Sequence, residues 1–414
     1  MKSVTTHATS MPAPANWRHT TIGEITSVAA GGTPSRLIPE YWEGHIPWVT
    51  TRQIDFGIVT KPEEFITDAG LNNSSARTFK KGSILLALIG QGATRGKVAV
   101  LGIDAAVNQN CVALCVSENV DPAFVYHNLA HRYEEIRGLS NGGGQSSLNA
   151  SLVKGIKVFL PSRSEQAVIG RIGDLWDRGI RQLSDLIATK VRFKQGLMQQ
   201  LLTGNRRFKG YQDEWFSVRL RDVATECDER NRGRMGVKDV MSVTKADGIV
   251  PMRERTIGAD IARYLVIQKD WFAYNPMRIN IGSIARWAGD RNFLVSPDYV
   301  VFRCNEPSGS SPGIDPDYLD HLRRSGVWES FVTAAGNGSV RVRIYFDDLG
   351  HLKFDLPSMP EQKKIANFLN SADREINLLR KQLESLKQQK KGLMQKLLTG
   401  QVRVSLNHLE NSHA

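Results

Sequence analysis

The stretch Lys194–Gly204, KQGLMQQLLTG, returns almost unchanged at Lys390–Gly400 as KKGLMQKLLTG, 196 residues further on. Extended outward without a gap, the first copy begins at Leu160 with LPSRSEQAVIGRIGDLWDRGIRQL and the second at Leu356 with LPSMPEQKKIANFLNSADREINLL. Similarity at one fixed offset marks a duplicated structural unit. Both copies read as helix. Each opens on a capping box, Ser162-x-x-Glu165 and Ser358-x-x-Glu361, in which the serine oxygen accepts the N3 amide and the glutamate reaches back to the cap amide. Each closes on a glycine, Gly204 or Gly400, able to take the left-handed conformation past a helix end. The single internal proline, Pro360, falls in the first turn, where it is tolerated. The pattern predicts two helices of about 40 residues, each about 60 Å long.

An apolar seam runs along both. It comprises Ile169, Ile172, Trp176, Ile180, Leu183, Ile187, Leu197 and Leu201 in the first copy, and Ile365, Phe368, Ile376, Leu379, Leu383, Leu386, Leu393 and Leu397 in the second. Spacing of three and four over several heptads predicts a coiled coil. Lys190 stands in the first copy where the second has Leu386, and Lys194 and Lys390 interrupt both seams at one equivalent place. A globular segment precedes the first helix and another lies between the helices, so the second helix can pack along the first only by running back. The expected fold class is therefore α+β: two mixed α/β domains separated by a long antiparallel two-helix coiled coil with pseudo-two-fold symmetry. The expected boundaries are a tail at 1–16, domains at 17–161 and 205–357, helices at 162–204 and 358–400, and a tail at 401–414. Such a layout suits a reader of two separated half-sites.

The globular segments repeat more weakly. Trp17 opens WRHTTIGEITSV and Trp215 opens WFSVRLRDVATE, with Ile22, Glu24 and Ile25 matched by Leu220, Asp222 and Val223. Asn141-Gly142 and Asn337-Gly338 keep the same offset near their ends. Between these ends they diverge into short β-branched runs broken by glycine and proline, which predicts short strands.

Composition narrows the functional classes. A hydrophobic fraction of 41% and a charged fraction of 23% are ordinary for a globular chain. No apolar run approaches the roughly 20 residues that cross a bilayer, and no secretory h-region stands near residue 1, so the expected location is the cytoplasm. The four cysteines, two of them in NQNCVALCV, lack the partners of a zinc site. A net charge of +12 favours a polyanionic partner, nucleic acid above all.

These features together resemble the specificity subunit of type I restriction-modification systems. The resemblance rests on GGTPSR…YWEGHIPWVTTRQID, GATRGKVAV and AAVNQN in the first segment and on YNPMRINIGSIA and LVSPDYVVF in the second. After each segment it continues through Leu-Pro-x-x-x-Glu-Gln and the helix ending in Gly-Leu-Met-Gln-x-Leu-Leu-Thr-Gly. It runs from about Trp17 to Gly400. It implies two target recognition domains that read an asymmetric, bipartite site in double-stranded DNA. It also implies two methylase subunits carrying S-adenosylmethionine and restriction subunits using ATP and magnesium, with no cofactor in this chain.

Two stretches invite enzymatic readings, and both fail on residue type. GQGATRGKV (Gly90–Val98) misses the phosphate-loop pattern, with Gln91 for glycine and Val98 for the magnesium-binding hydroxyl. It fits a glycine-permitted hairpin or a loop approaching DNA. YNPMR (Tyr274–Arg278) resembles the Asn-Pro-Pro-aromatic motif of amino-methyltransferases, but Met277 replaces the second proline and Arg278 the aromatic. A self-contained DNA methyltransferase is thus the rival among enzymes; a coiled-coil scaffold holding two modules for other ligands is the rival among binding proteins.

Candidate DNA contacts are the polar and basic residues of glycine-containing loops. In the first domain they are Thr33, Ser35, Arg36, Thr51, Arg52, Gln91, Arg95, Lys97, Gln145 and Ser146. In the second they are Arg230, Arg232, Arg234, Lys245, Arg278, Asn280, Arg286, Arg341 and Arg343. Glutamine pairs with adenine and arginine with guanine in the major groove. Gln145 and Arg341 rank first, because they hold the same place in the domain-to-helix frame.

Overall fold

The computed structural model describes residues 14, 16–90, 92–139, 147–245, 247–309, 312–336 and 343–404. The chain divides into two compact units, Met1–Ser184 with Gln382–Ala414, and Asp185–Lys381. Each holds one globular module, one half of the helix that follows it and one half of the other long helix.

In the first unit the module is closed by its own ends. Strand Arg18–Thr21 pairs antiparallel with Lys157–Leu160, placing His19 opposite Phe159. The chain then turns through a short helix, Ile22–Ile25, whose start is tied by Glu24: its carboxylate accepts from Thr20 Oγ1 at 2.7 Å and from Thr21 N at 3.1 Å. A sheet follows in the order Thr26–Ala30, Cys111–Val116, Ile84–Ala87, Val98–Leu101, with Ile58–Val59 added parallel at its edge. A second sheet takes the order Glu64–Ile66, Trp42–Val49, Ala105–Val107, Thr78–Phe79. Ile84–Ala87 is buried at all four positions, as expected of a strand covered on both faces.

The second unit repeats this frame. Phe216–Arg219 pairs with Lys353–Leu356, and the short helix Leu220–Val223 has Arg219 N donating to Asp222 at 2.8 Å. Its sheet runs Ala224–Glu226, Val300–Cys304, Phe272–Tyr274, Ile284–Arg286, the same order and the same antiparallel sense. The matched Trp17 and Trp215 openings thus mark the same strand and turn. The two units differ beyond this frame: Met241–Thr244 with Gly248–Pro251, and Leu265–Ile267 with Phe293–Val295, stand in place of the first unit's second sheet.

The long helices span Arg163–Leu201 and Met359–Leu398. Gly204 and Gly400 follow them at φ 72° and 71°, the left-handed geometry their position demands. Within each unit the two half-helices run antiparallel. In the second, Lys194 lies 2.5 Å from Asp373 and Lys190 lies 2.8 Å from Glu375, so one number falls as the other rises. In the first, Lys390 lies 2.6 Å from Asp177.

Two details of the helices depart from the sequence reading. Phe368 is 42% exposed and packs edge-on against Phe208, while its neighbour Leu369 takes the buried seam position. The seam drifts there because a straight helix turns 3.6 residues, not 3.5. The helix ends also do more than pair. Leu197, Leu201 and Ile365 belong to the core of the second unit with Tyr274, Phe302 and Tyr318; Ile169 and Leu397 belong to that of the first with Ile84, Leu114 and Phe124. Between these ends the seam residues Trp176, Ile180, Leu183, Leu379, Leu383 and Leu386 are half-buried, as a narrow two-helix seam requires.

Candidate nucleic-acid interface

What holds each module to its helices is a set of polar clamps built twice. Glu165 and Glu361 do not reach back to their own caps. Each is almost fully buried and accepts the fork of an arginine lying three residues beyond the other helix's terminal glycine. Arg403 donates to Glu165 at 2.6 and 2.8 Å, and Arg207 to Glu361 at 2.9 and 2.7 Å. Both arginines are held above their ordinary pKa by these carboxylate hydrogen bonds. A two-point ion pair outcompetes the single amide a capping box offers; Ser162 still caps its helix, accepting from Glu165 N at 3.3 Å.

The next residue completes the clamp. Gln166 accepts from Asp121 N at 2.8 Å and donates to Pro161 O at 2.9 Å. Gln362 accepts from Asp315 N at 2.8 Å and donates to Pro357 O at 2.9 Å. Asp121 and Asp315 in turn cap the helices Pro122–His131 and Pro316–Leu322, accepting from Phe124 N and Tyr318 N. One turn on, His127 meets Asp174 at 2.9 Å and His321 meets Asn370 at 2.8 Å; burial pushes His321 below the usual imidazole range. The Glu-Gln pair is legible in the sequence as a repeated dipeptide, but its partners are not. The recurrence of Arg207 and Arg403 at the 196-residue offset was the signal available for the glutamates.

Lys194 and Lys390 interrupt the seam as expected, and each finds an aspartate on the opposing half-helix. A helix slipped by one turn would leave a buried Lys194 or half-buried Lys390 ammonium facing apolar seam, so these pairs pin the register.

The candidate contacts fall into groups. In the first unit, Arg36 donates two hydrogen bonds of 2.8 Å to Glu64 and lies 3.5 Å over the Trp42 ring; the arginine holds the Glu64 carboxyl below its usual range. Arg52 is paired with Glu63 and Lys97 with Asp55 at 2.6 Å. Thr33 meets Gln109, Ser35 Oγ accepts from Leu37 N, and Thr51 accepts from Asn108 Nδ2 at 3.2 Å. Arg95 and Lys97 sit in the ten-residue connection between the antiparallel strands Ile84–Ala87 and Val98–Leu101, where Gly96 takes φ 83°. Gln91, Gln145, Ser146 and Arg341 lie outside the described residues.

In the second unit, Arg230, Arg232 and Arg234 share one loop. Arg343 and Arg230 line a neighbouring hollow of about 280 Å³. Lys245, Asn280 and Arg286 border a cleft of about 820 Å³ walled by Trp287 and Trp328; Arg278 lies exposed at the start of the turn that carries Asn280. Arg286 is committed to Asp270 at 3.1 Å and Asp317 at 2.6 Å. Asn275 of the YNPMR stretch uses its side-chain oxygen to accept from Met277 N at 2.9 Å, a local turn that leaves that atom occupied. Among the described residues no group of three or more His, Cys, Asp and Glu could hold a metal ion.

Two copies of one frame, each clamped by both long helices and each carrying its own set of polar loops, define a two-site recognition chain. Residues 14–187 and 329–388, more than half of the chain, match the family described as the type I restriction modification DNA specificity domain. The chain belongs to that family, whose members are the recognition rather than the catalytic component of their systems. It is 23% identical over 410 residues to the type I restriction enzyme MjaVIII specificity subunit of Methanocaldococcus jannaschii, covering 94% of each chain. It is 27% identical over 203 residues to the EcoR124I/EcoR124II specificity subunit of Escherichia coli, 48% of this chain and 47% of that relative, about half its length. In fold it is similar to the S subunit of a type I system from M. genitalium, with a TM-score of 0.58 at 17% identity, covering 92% of this chain and 96% of that one. A chain from a structure of type I complex assembly and conformational transition gives 0.55 at 15% identity, covering 95% and 100%.

Proposed function

We propose that this chain gives a type I restriction-modification complex its target, each module reading one half of an asymmetric, bipartite site in double-stranded DNA. The observation that carries this is the doubling itself: the clamps are the same in both units while the loops around them differ. Identical scaffolds with different loops do one job on two sequences. Two methylase subunits carrying S-adenosylmethionine, and restriction subunits using ATP and magnesium, are the partners this function needs, and the cytoplasm is where they would meet. Leu175, Phe193 and Leu378, each more than 60% exposed on the long helices, support docking of partner subunits there.

The rival methyltransferase reading is disfavoured by Asn275, whose side-chain oxygen is held by Met277 N. The purified chain is expected to transfer no labelled methyl group to DNA, and to direct transfer once its methylase partner is added. Methyl transfer by the chain alone, or unchanged site choice by the methylase without it, would overturn the proposal.

A further inference from the structure

The loop that follows the first sheet strand of the second unit is built around a buried asparagine. Asn231 is fully buried and saturates its side chain: Nδ2 donates to Met235 O at 3.0 Å and to Ile261 O at 3.1 Å, and Oδ1 accepts from Met235 N at 2.8 Å. Its backbone N donates to Tyr264 O, and Arg232 N donates to Ala262 O, both at 2.9 Å. The flanking arginines are tied. Arg230 donates to Arg263 O at 2.8 Å, and Arg234 to Glu229 at 2.7 Å and to Arg230 O at 2.9 Å.

Arg232, between them, is exposed and its guanidinium has no hydrogen-bond or ion-pair partner among the described residues. It also stands at φ 49°. Of the four described non-glycine residues at positive φ, with Glu43, Phe56 and Asp270, it is the only cation. Such a conformation persists only where surrounding bonds over-determine it, and it gathers at sites that use it. Here the loop holds one free guanidinium outward on a fixed backbone.

The first unit supplies an independent comparison. Its loop in the same topological place, after Thr26–Ala30, is also braced. Gly31 and Gly32 lie so close to the Val107 carbonyl and the Ser75 backbone that a Cβ would come within 2.1 and 2.2 Å of them. That loop presents Leu37, 92% exposed. The two units thus project different chemistry from one position of a shared frame, an arginine in one and an apolar tip in the other. A scaffold contact would repeat, as the clamps do; a reader would differ.

We propose that Arg232 reads a base in the second half-site, donating its planar fork to the O6 and N7 edge of a guanine in the major groove, with Asn231 as the residue that positions it. A free fork on a rigid loop matches that edge in a way a flexible lysine cannot. This rests on the function proposed above.

The test is to express the full chain with its methylase partner and map methylated sites for variants. The unaltered chain must give a bipartite motif; if it gives none, the functional reading fails and not this assignment alone. Arg232→Ala is expected to lower discrimination at one G·C pair of the second half-site about ten- to a hundredfold, leaving the first half-site unchanged. Arg232→Lys is expected to keep methylation without restoring the discrimination. Asn231→Asp, which keeps the acceptor and loses both donors, relaxes the same pair. An unchanged motif in Arg232→Ala, whether methylation is full or uniformly weakened as for a phosphate contact, overturns the assignment. Equal loss at every site in Asn231→Asp overturns the positioning role.

Discussion

A fragment of residues 1–208 is expected to associate as a symmetric dimer and, with methylase partners, to switch methylation to a palindrome made of the first half-site and its inverted complement. The first unit needs Lys390, Met394, Leu397, Leu398 and Arg403, which the fragment lacks. It carries their equivalents, Lys194, Met198, Leu201, Leu202 and Arg207, at the same offset. In a dimer each copy would lend these to the other: Lys194 to the partner's Asp177, and Arg207 to the partner's Glu165. The three apolar residues Met198, Leu201 and Leu202 would close the core that Met394, Leu397 and Leu398 close in the whole chain. Lys190 would stand where Leu386 does, so the association should be weaker than the native packing. Asp177→Lys in the fragment sets two like charges face to face and should raise its dissociation constant on the order of a hundredfold or more. Sedimentation checks the dimer, and a folded fragment that stays monomeric would contradict the pseudo-symmetry of the clamps.

Gln362→Ala should destabilise the second unit by about 2–4 kcal/mol. The amide is fully buried, and its loss strands Asp315 N and Pro357 O, each a buried backbone group that costs about 1–3 kcal/mol when unpaired. Asp315 N belongs to the cap of Pro316–Leu322, so the damage should spread into the core around Tyr318 and Leu319. Gln166→Ala should do the same to the first unit through Asp121. Thermal unfolding followed with amide exchange in each unit checks this: protection should fall in the unit carrying the substitution. Equal loss in both units, or none in either, would contradict the two clamps acting locally.

Much of this was legible in the sequence because helix signals are local. The caps, the terminal glycines and the three-and-four seam predicted two helices whose ends fall within a few residues of those observed. The Leu-Pro ends and the Trp17 and Trp215 openings marked a repeat that proved to be the strands closing each module. Long-range polar choices were not legible. Glu165 has a local capping partner on paper, and only the fold brings Arg403 to it, 238 residues away. Arg36 looks like a free cation in GGTPSR until Glu64 arrives from a neighbouring strand. Arg286 reads like any loop arginine until Asp270 and Asp317 close on it. Phe368 fails because one-residue drift in a long helix exchanges it with Leu369. Of the first-ranked contacts, Gln145 and Arg341 lie outside the described residues, whereas Arg232, one of nineteen candidates by composition, is distinguished by a backbone angle that no spacing rule supplies.

Mapping methylated DNA in cells that express the whole chain with its methylase partner, and in cells that express the methylase alone, tests the central claim most directly. The account predicts an asymmetric motif of two short halves separated by an unread spacer, present only when this chain is present. A single uninterrupted motif, or the same motif without the chain, would contradict it.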